Sequence, residues 1–267
     1  GLGDVYKRQV NVQPLEAMFN SSFIVRAFHV VATAGMTMAF ILAAIAAFKL
    51  LRNKHSEDKT YHKKALKMTM IVGFLSTILS MVAGDLSAKF LHKVQPEKLA
   101  AYEWHYDTQS HANLVFFGVL NEKTHEVTGA IEIPGLLSFL ADDSFKTKVK
   151  GLTDFPKNDL PPMIVHYFFD LMVSMGVFCF IISGLYMLIL FFKKLRKFKV
   201  NKAMLYAILL TGPASLLAIE FGWFLTEMGR QPWIIRGYMR VSQAATQAGG
   251  ITLVTILFGI LLSLIHI

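Results

Sequence analysis

The 267-residue chain has almost no cysteine and unusually little charge. Its single cysteine, Cys179, excludes a disulfide framework, a cysteine-rich zinc site and an iron–sulfur cluster. Charged residues make up 17% of the chain, against roughly 25% in soluble domains, while hydrophobic residues make up 54%. Because so few charges cannot cover a globule of this size, the composition excludes an ordinary water-soluble protein and indicates a membrane protein.

The net charge of +9 is concentrated in two places. Twelve of the 27 Lys and Arg lie in two short clusters beside apolar runs, a placement typical of cytoplasmic membrane loops. We therefore interpret the charge as a topology signal and expect no nucleic-acid partner. The first cluster comprises Arg52, Lys54, Lys59, Lys63, Lys64 and Lys67, and the second comprises Lys193, Lys194, Arg196, Lys197, Lys199 and Lys202.

Four apolar runs are long enough to cross a bilayer, which takes about 20 helical residues. A backbone in lipid must satisfy its own hydrogen bonds, so these runs are predicted to be helices. The predicted fold is all-α, a polytopic transmembrane helix bundle with four full spans and a truncated fifth. The runs are A (Ser22–Leu51), B (Met68–Phe90), C (Met163–Phe192) and D (Ala203–Thr226), and the fifth begins near Gly250.

The segment between runs B and C is predicted to lie outside the cell, because it is the acidic connection while the other two are basic. Within it, Leu114–Val119 and Val127–Ile133 flank a polar turn and predict a β-hairpin. Residues 1–9 and 263–267 resemble translated adaptor sequence, so we expect an internal piece of a longer protein. The predicted divisions are 10–90 (spans A and B), 91–162 (outer loop), 163–233 (spans C and D) and 234–262 (a loop and the truncated helix).

Ionisable groups within a bilayer cost about 2.5–3.5 kcal/mol on insertion scales, so each one suggests a function. His29 lies about 10 Å below the outer end of run A, and Met172 about 13 Å below that of run C. A His and a Met at matched depth are suited to axial haem ligation. By spacing alone, Met175 and His166 remain alternatives. Arg26 lies one turn outward from His29, where a cation would neutralise a haem propionate.

Two other segments with ionisable side chains have two interpretations each. Glu220 and Glu227 share a helix face, and Glu227 is either half of an Arg–Glu pair at a helix end or an anionic ligand or proton carrier. The segment Lys98–Glu103 is either a solvated helix or a place where Lys98 and Glu103 hydrogen-bond a quinol headgroup.

The run Gly-Arg-Gln-Pro-Trp at 229–233, preceded by Gly222-Trp-Phe and Glu227, resembles the signature of subunit I of cytochrome bd-type quinol oxidases. The other segments that resemble this family, in its short outer-loop form, are Phe28–Gly35, Gly84-Asp85, Lys98–Glu103, Ile131–Leu137 and Phe168–Val173.

The resemblance implies roles for individual residues. His29 and Met172 would be the axial ligands of a low-spin haem b, with Arg26 near a propionate. Glu227 would ligate the iron of a high-spin haem, with Trp223 and Arg230 around that haem. Lys98 and Glu103 would bind quinol. Asp170 departs from the family, which often has Arg there, so either Arg26 compensates for its charge or Asp170 turns away from the haem.

The resemblance also implies a function, a location and partners. The expected reaction is oxidation of quinol at the outer face and reduction of O₂ to water, which generates a protonmotive force. The expected cofactors are a low-spin haem b, a high-spin haem b, and a haem d or second b-type haem. A second membrane subunit and a bacterial or archaeal cytoplasmic membrane are expected, and this piece alone should be inactive. The alternatives are an ion transporter or channel using Asp85, Glu220 and Glu227, and a haem-bearing quinol-oxidising anchor that does not reduce O₂.

Overall fold

The structure is a computed structural model that describes residues 13–52, 56–192, 200–244 and 249–265. The predicted foreign start (1–9), Lys54 and the basic residues from Lys193 to Lys199 lie outside these ranges. The helices are α1 (Pro14–Met18), α2 (Phe23–Arg52), α3 (Ser56–Val94), α4 (Pro96–Tyr102), α5 (Leu136–Asp142), α6 (Val165–Phe191), α7 (Lys202–Met228), α8 (Val241–Ala244) and α9 (Ile251–Ile265). The strands are β1 (Leu114–Phe116), β2 (Val119–Asn121), β3 (Glu126–Thr128), β4 (Ile131–Ile133), β5 (Trp233–Ile235) and β6 (Met239–Arg240).

Four of these helices, α2, α3, α6 and α7, are long and apolar enough to cross a membrane. Helix α2 packs against α3 and α7, and α6 packs against the same two neighbours. Helices α2 and α6, which carry His29 and Met172, therefore lie diagonally across a four-helix bundle. The prediction of an all-α membrane bundle with four spans is confirmed.

The helix bounds agree with the apolar runs except in α3. This helix begins at Ser56 rather than at Met68, so its first turns contain Lys59, Lys63, Lys64 and Lys67. Hydropathy detects only the part of a helix that crosses lipid, and a polar segment of good helix formers continues α3 into water. Pro96 explains why α3 ends at Val94, because the residue before a proline disfavours the helical conformation.

The bundle is held together by an apolar core toward the end where the basic clusters lie. Small residues allow close helix approach there, and a Cβ added to Gly212 of α7 would lie 2.8 Å from the Cβ of Ala44 on α2. Polar side chains in the core bond their own helix, as Ser183 does to the Cys179 carbonyl at 2.7 Å. The buried core residues are Met36, Phe40, Ala43, Ala46, Ala47, Leu66, Met70, Cys179, Tyr186, Met187, Ile208 and Ala214.

The segment between α3 and α6 folds over the opposite end of the bundle. The predicted hairpin is present: β1 pairs with β4 from Leu114↔Ile133, and β2 pairs with β3 down to Asn121↔Glu126. Helix α5 is tied to α3 because Lys89 bridges Asp85 at 2.7 Å and Asp143 at 2.6 Å. The segment between α3 and α6, called the outer segment below after its predicted side of the membrane, is thus an ordered layer anchored on the spanning helices.

The described residues from 232 onward form a compact unit separate from the described residues between 13 and 231. Within this unit, β5 and β6 form a small antiparallel pair, and the guanidinium of Arg240 lies 4.7 Å from the ring centre of Trp233. Helix α9 is apolar but shorter than the four spans.

Candidate functional site

His29 projects from α2 toward α3. Its ring lies beside the main chain of Ala83, and its Cε1 lies 4.0 Å from where a Cβ on Gly84 would be. Its Nδ1 is buried and has no hydrogen-bond partner among the described residues. A buried imidazole nitrogen without a protein partner is one that a metal could bind, and His29 Nδ1 is such an atom among the described residues.

Met172 projects from α6 toward α7. Its Sδ lies 3.1 Å from the position that a Cβ on Gly222 would occupy, so only a glycine leaves the thioether this place. One turn further along the same face of α6, a Cβ on Gly176 would meet no described atom within 4 Å. Half-buried Met172 therefore packs closely against α7, while the surface of α6 one turn further along is open.

These surroundings fit a haem between α2 and α6. His29 and Met172 are on diagonal helices, so a haem that used both side chains as ligands would lie between α2 and α6. Some neighbours of the two side chains are small, since Ala32 and Ala83 are buried and Gly84 and Gly222 lack a side chain, but Met172 also packs against a buried cluster that contains Tyr102 and Leu225. Among the alternatives that spacing left open, Met175 packs against the apolar core, and the ring of His166 is occupied by Trp104.

Arg26 lies one turn outward from His29 and is exposed. Its positive charge acts on the phenol of Tyr102 in α4, whose pKa burial raises to about 12 while Arg26 opposes the rise. Arg26 is therefore close to the outer segment as well as to His29. Its guanidinium is available to an anionic group on the outer side of His29.

The segment from Lys98 to Glu103 is packed against the bundle, so the interpretation as a solvated helix is wrong. Lys98 is half-buried, and Leu99 to Glu103 are all buried. The Glu103 carboxyl is only 3% exposed, and its Oε2 has no hydrogen-bond partner among the described residues. Burial, and then the nearby carboxylate of Asp170, raise the pKa of Glu103 well above its usual range. A buried, mainly neutral carboxyl is therefore presented at the outer end of the bundle.

Asp170 contacts the outer hairpin and His166 of its own helix. Its Oδ2 accepts a hydrogen bond from the Phe117 N–H at 2.6 Å and lies 3.2 Å from Nε2 of His166. Both His166 and Asp170 are fully buried. The carboxylate is thus held by the outer hairpin and by its own helix, so it does not need Arg26 to neutralise it.

Trp223, Glu227 and Arg230 lie together on the outward face of α7. Trp223 is 63% exposed, and Glu227 and Arg230 form an ion pair with side chains that are 48% and 53% exposed. Gly222 and Leu225 occupy the opposite, inward face. Among the described residues, these three side chains therefore form an exposed group with one carboxylate and one guanidinium, separate from His29 and Met172. Glu220 is also exposed.

Gly229, the first residue of the Gly-Arg-Gln-Pro-Trp motif, is required by the outer segment. A Cβ at this position would overlap the hydroxyl of Tyr102, which also donates to the Leu225 carbonyl at 3.4 Å. The absence of a side chain at this motif glycine therefore allows α4 to pack against the end of α7.

The model of the family described as cytochrome bd terminal oxidase subunit I matches residues 3–267. The chain belongs to this family. The membership confirms the resemblance seen in the sequence and favours an oxidase subunit over a transporter or a haem-bearing anchor. With its four spanning helices, the chain is part of a multi-pass membrane protein.

Relatives with names and a solved structure are similar over most of the chain. A putative cytochrome bd menaquinol oxidase subunit I of Bacillus subtilis is 39% identical over 93% of this chain and 56% of its own length. A cytochrome bd ubiquinol oxidase subunit 1 of the same organism is 30% identical over 87% of this chain and 52% of its own. The bd oxidase structure from Geobacillus thermodenitrificans superposes with a TM-score of 0.85, at 43% identity, over 94% of this chain and 57% of that one. The chain spans about half the length of the curated relatives it matches.

Sequence reasoning missed the packing around His166. Trp104 stacks on its ring at 3.9 Å between centres, and the Tyr102 carbonyl lies 2.6 Å from its Nδ1. The spacing of His166 and Asp170, four residues apart on one helix, is the signal that predicts such a pair.

Proposed function

We propose that the complete subunit oxidises a membrane quinol at the outer end of this bundle and delivers the electrons to O₂. Oxidation of two quinols to two quinones releases four electrons and four protons, and reduction of one O₂ to two waters consumes the same numbers. With release outside and uptake from the cytoplasm, the reaction builds a protonmotive force. The observation that carries this proposal is the family match along the chain.

Low-spin haem b is proposed to lie between His29 and Met172. With both axial positions filled by protein, such a haem transfers electrons and does not bind O₂. His29 would provide an imidazole beside Ala83, Met172 a thioether seated over Gly222, and Arg26 a cation for a propionate. These contacts support the proposal because they leave the Nδ1 of His29 without a hydrogen-bond partner among the described residues and place the thioether of Met172 beside a glycine.

Quinol is proposed to bind at the Lys98–Glu103 segment. A quinol hydroxyl needs an acceptor while it loses its proton, and the buried carboxyl of Glu103 has an oxygen without a partner among the described residues. Lys98 contributes a donor to the headgroup. Burial raises the pKa of Glu103 well above its usual range, so its carboxyl holds a proton more readily than an exposed glutamate does.

The remaining haems are proposed to lie against the outward face of α7. Glu227 would ligate a high-spin haem iron, with Trp223 and Arg230 beside it, and the second site would hold haem d or another b-type haem. A second membrane subunit would complete the enzyme in the bacterial or archaeal cytoplasmic membrane. Both the ubiquinol and menaquinol classes are open as substrates, as the names of the two relatives illustrate.

The test is quinol-driven oxygen uptake by membranes containing the complete subunit, with Glu103→Ala and the control Glu132→Ala. Glu132 is an exposed carboxylate of the same outer segment. Glu103→Ala should lower uptake strongly while leaving the haem spectra intact, and Glu132→Ala should leave both unchanged. Normal quinol kinetics in Glu103→Ala would remove this segment from the mechanism, and absence of uptake in the wild type would contradict the proposed function.

A further inference from the structure

We propose that His166 and Asp170 are a positioning pair that fixes the Lys98–Glu103 segment relative to the helix carrying Met172. The inference rests on the proposed function for its kinetic consequence, while its structural content stands on the contacts of the pair itself. Neither residue is proposed to touch quinol or haem.

His166 contacts the residues on both sides of Glu103, the main chain of Tyr102 and the ring of Trp104. Its Nδ1 donates to the carbonyl oxygen of Tyr102 at 2.6 Å, and its ring stacks on that of Trp104 at 3.9 Å. Trp104 is fastened in turn, because its Nε1 donates to the Met163 carbonyl at 2.8 Å. Since Glu103 lies between Tyr102 and Trp104, its backbone has little freedom while His166 stays in place.

Asp170 binds the outer hairpin at Phe117, where the backbone between β1 and β2 is irregular. Phe117 has a φ of +58°, a left-handed conformation that is uncommon for a bulky residue, and its N–H donates to Asp170. The next residue is held too, because the Tyr167 hydroxyl donates to the Gly118 carbonyl at 3.1 Å. Such a backbone conformation persists where its surroundings determine it, and here α6 supplies two of the bonds.

The pair therefore connects two separate parts of the outer layer to a single stretch of α6. His166 and Asp170 are four residues apart and share one face, and Met172 follows within the next turn. A buried pair of ionisable groups contributes little net stability, but it does specify one arrangement over others. Small displacements of a substrate-binding group are costly in rate, so a device that fixes Glu103 relative to Met172 has a kinetic purpose.

The main experiment replaces His166 in the complete, haem-loaded enzyme. His166→Phe keeps a planar ring against Trp104 but removes both ring nitrogens, whereas His166→Asn keeps an amide N–H where Nδ1 donates to Tyr102. We expect His166→Phe to raise the KM for quinol about tenfold, the fold-change expected for one lost hydrogen bond, and His166→Asn to return the KM most of the way to the wild-type value. Glu132→Gln, on the same hairpin, should match the wild type.

The readouts separate positioning from stability. A merely structural role would reduce the yield of haem-loaded enzyme and leave the KM of the surviving enzyme unchanged, which would overturn the proposal. Hydrogen exchange over residues 102–118 provides a readout that does not depend on quinol. Faster exchange in His166→Phe supports the pair even if the wild type fails to oxidise quinol, and unchanged exchange overturns it. If His166→Phe does not assemble, Tyr167→Phe decides by the same exchange measurement at the Gly118 corner.

Discussion

Replacing Gly222 with alanine places one methyl group against the sulfur of Met172. The added Cβ would lie 3.1 Å from Sδ and 3.7 Å from Cγ. Nonbonded carbon contacts are most favourable at about 3.5–4.0 Å, so the thioether must retreat by at least about 0.4 Å. Since the helix itself gains from the change, the disturbance is confined to the position of Met172.

The size of the effect follows from the cost of overpacking. Forcing one extra methyl into a packed site costs about 1–3 kcal/mol, which corresponds to a factor of about 5 to 150 in an equilibrium constant. If Met172 ligates the low-spin haem, that factor applies to the equilibrium between attached and detached thioether. We therefore expect Gly222→Ala to retain its haem but to show a mixed or weakened low-spin spectrum.

The assay is the reduced-minus-oxidised spectrum of Gly222→Ala beside that of Gly184→Ala. Gly184 is on the helix that carries Met172, and a Cβ there would make an ordinary 3.6 Å contact with Phe74. Both changes raise helix propensity equally, so a difference between them reports the methyl–sulfur contact. If the two variants give the same wild-type spectrum, the thioether does not occupy the ligating position and the reasoning is refuted.

Two further predictions concern the outer segment. Glu103 has a raised pKa, so its ionisation opposes folding, and stability should fall as pH rises from the usual glutamate pKa of about 4.3 through the raised value. Melting temperatures measured against pH should show this decline in the wild type but not in Glu103→Gln, and parallel curves would contradict it. Gly229→Ala should lower the melting temperature because its Cβ overlaps the Tyr102 hydroxyl, and Tyr102→Phe in the same chain should restore part of the loss. A Gly229→Ala protein as stable as the wild type would show that α4 does not depend on this contact.

The spanning helices could be predicted because lipid imposes a requirement that is visible in the sequence. A backbone without water must be helical over a fixed length, so the apolar runs coincide with α2, α6 and α7. The polar start of α3 could not be predicted this way, because a helix that lies in water needs no apolar run and its lysines therefore give no hydropathy signal. The hairpin followed from two strand-like segments around a polar turn, a local pattern that needs no tertiary information.

The burial of α4 could not be predicted, because it depends on partners distant in the sequence. A short segment with a lysine at one end and a glutamate at the other has the composition of a surface helix. What buries it is the contact of Tyr102 and Trp104 with His166, some sixty residues later. In the same way, the outward direction of Glu227 follows from which face of α7 meets α6, and that face is identified by tertiary contacts such as the one between Gly222 and Met172.

The central claim is that His29 and Met172 hold one haem iron between them. The most direct measurement is the low-spin haem signal in reduced-minus-oxidised spectra of the complete enzyme carrying His29→Ala, Met172→Leu or the control Met175→Leu. Met175 belongs to the same helix but packs against the apolar core. The account predicts that the first two variants lose the low-spin signal and quinol oxidation while Met175→Leu keeps both. A normal low-spin spectrum in either His29→Ala or Met172→Leu would contradict it.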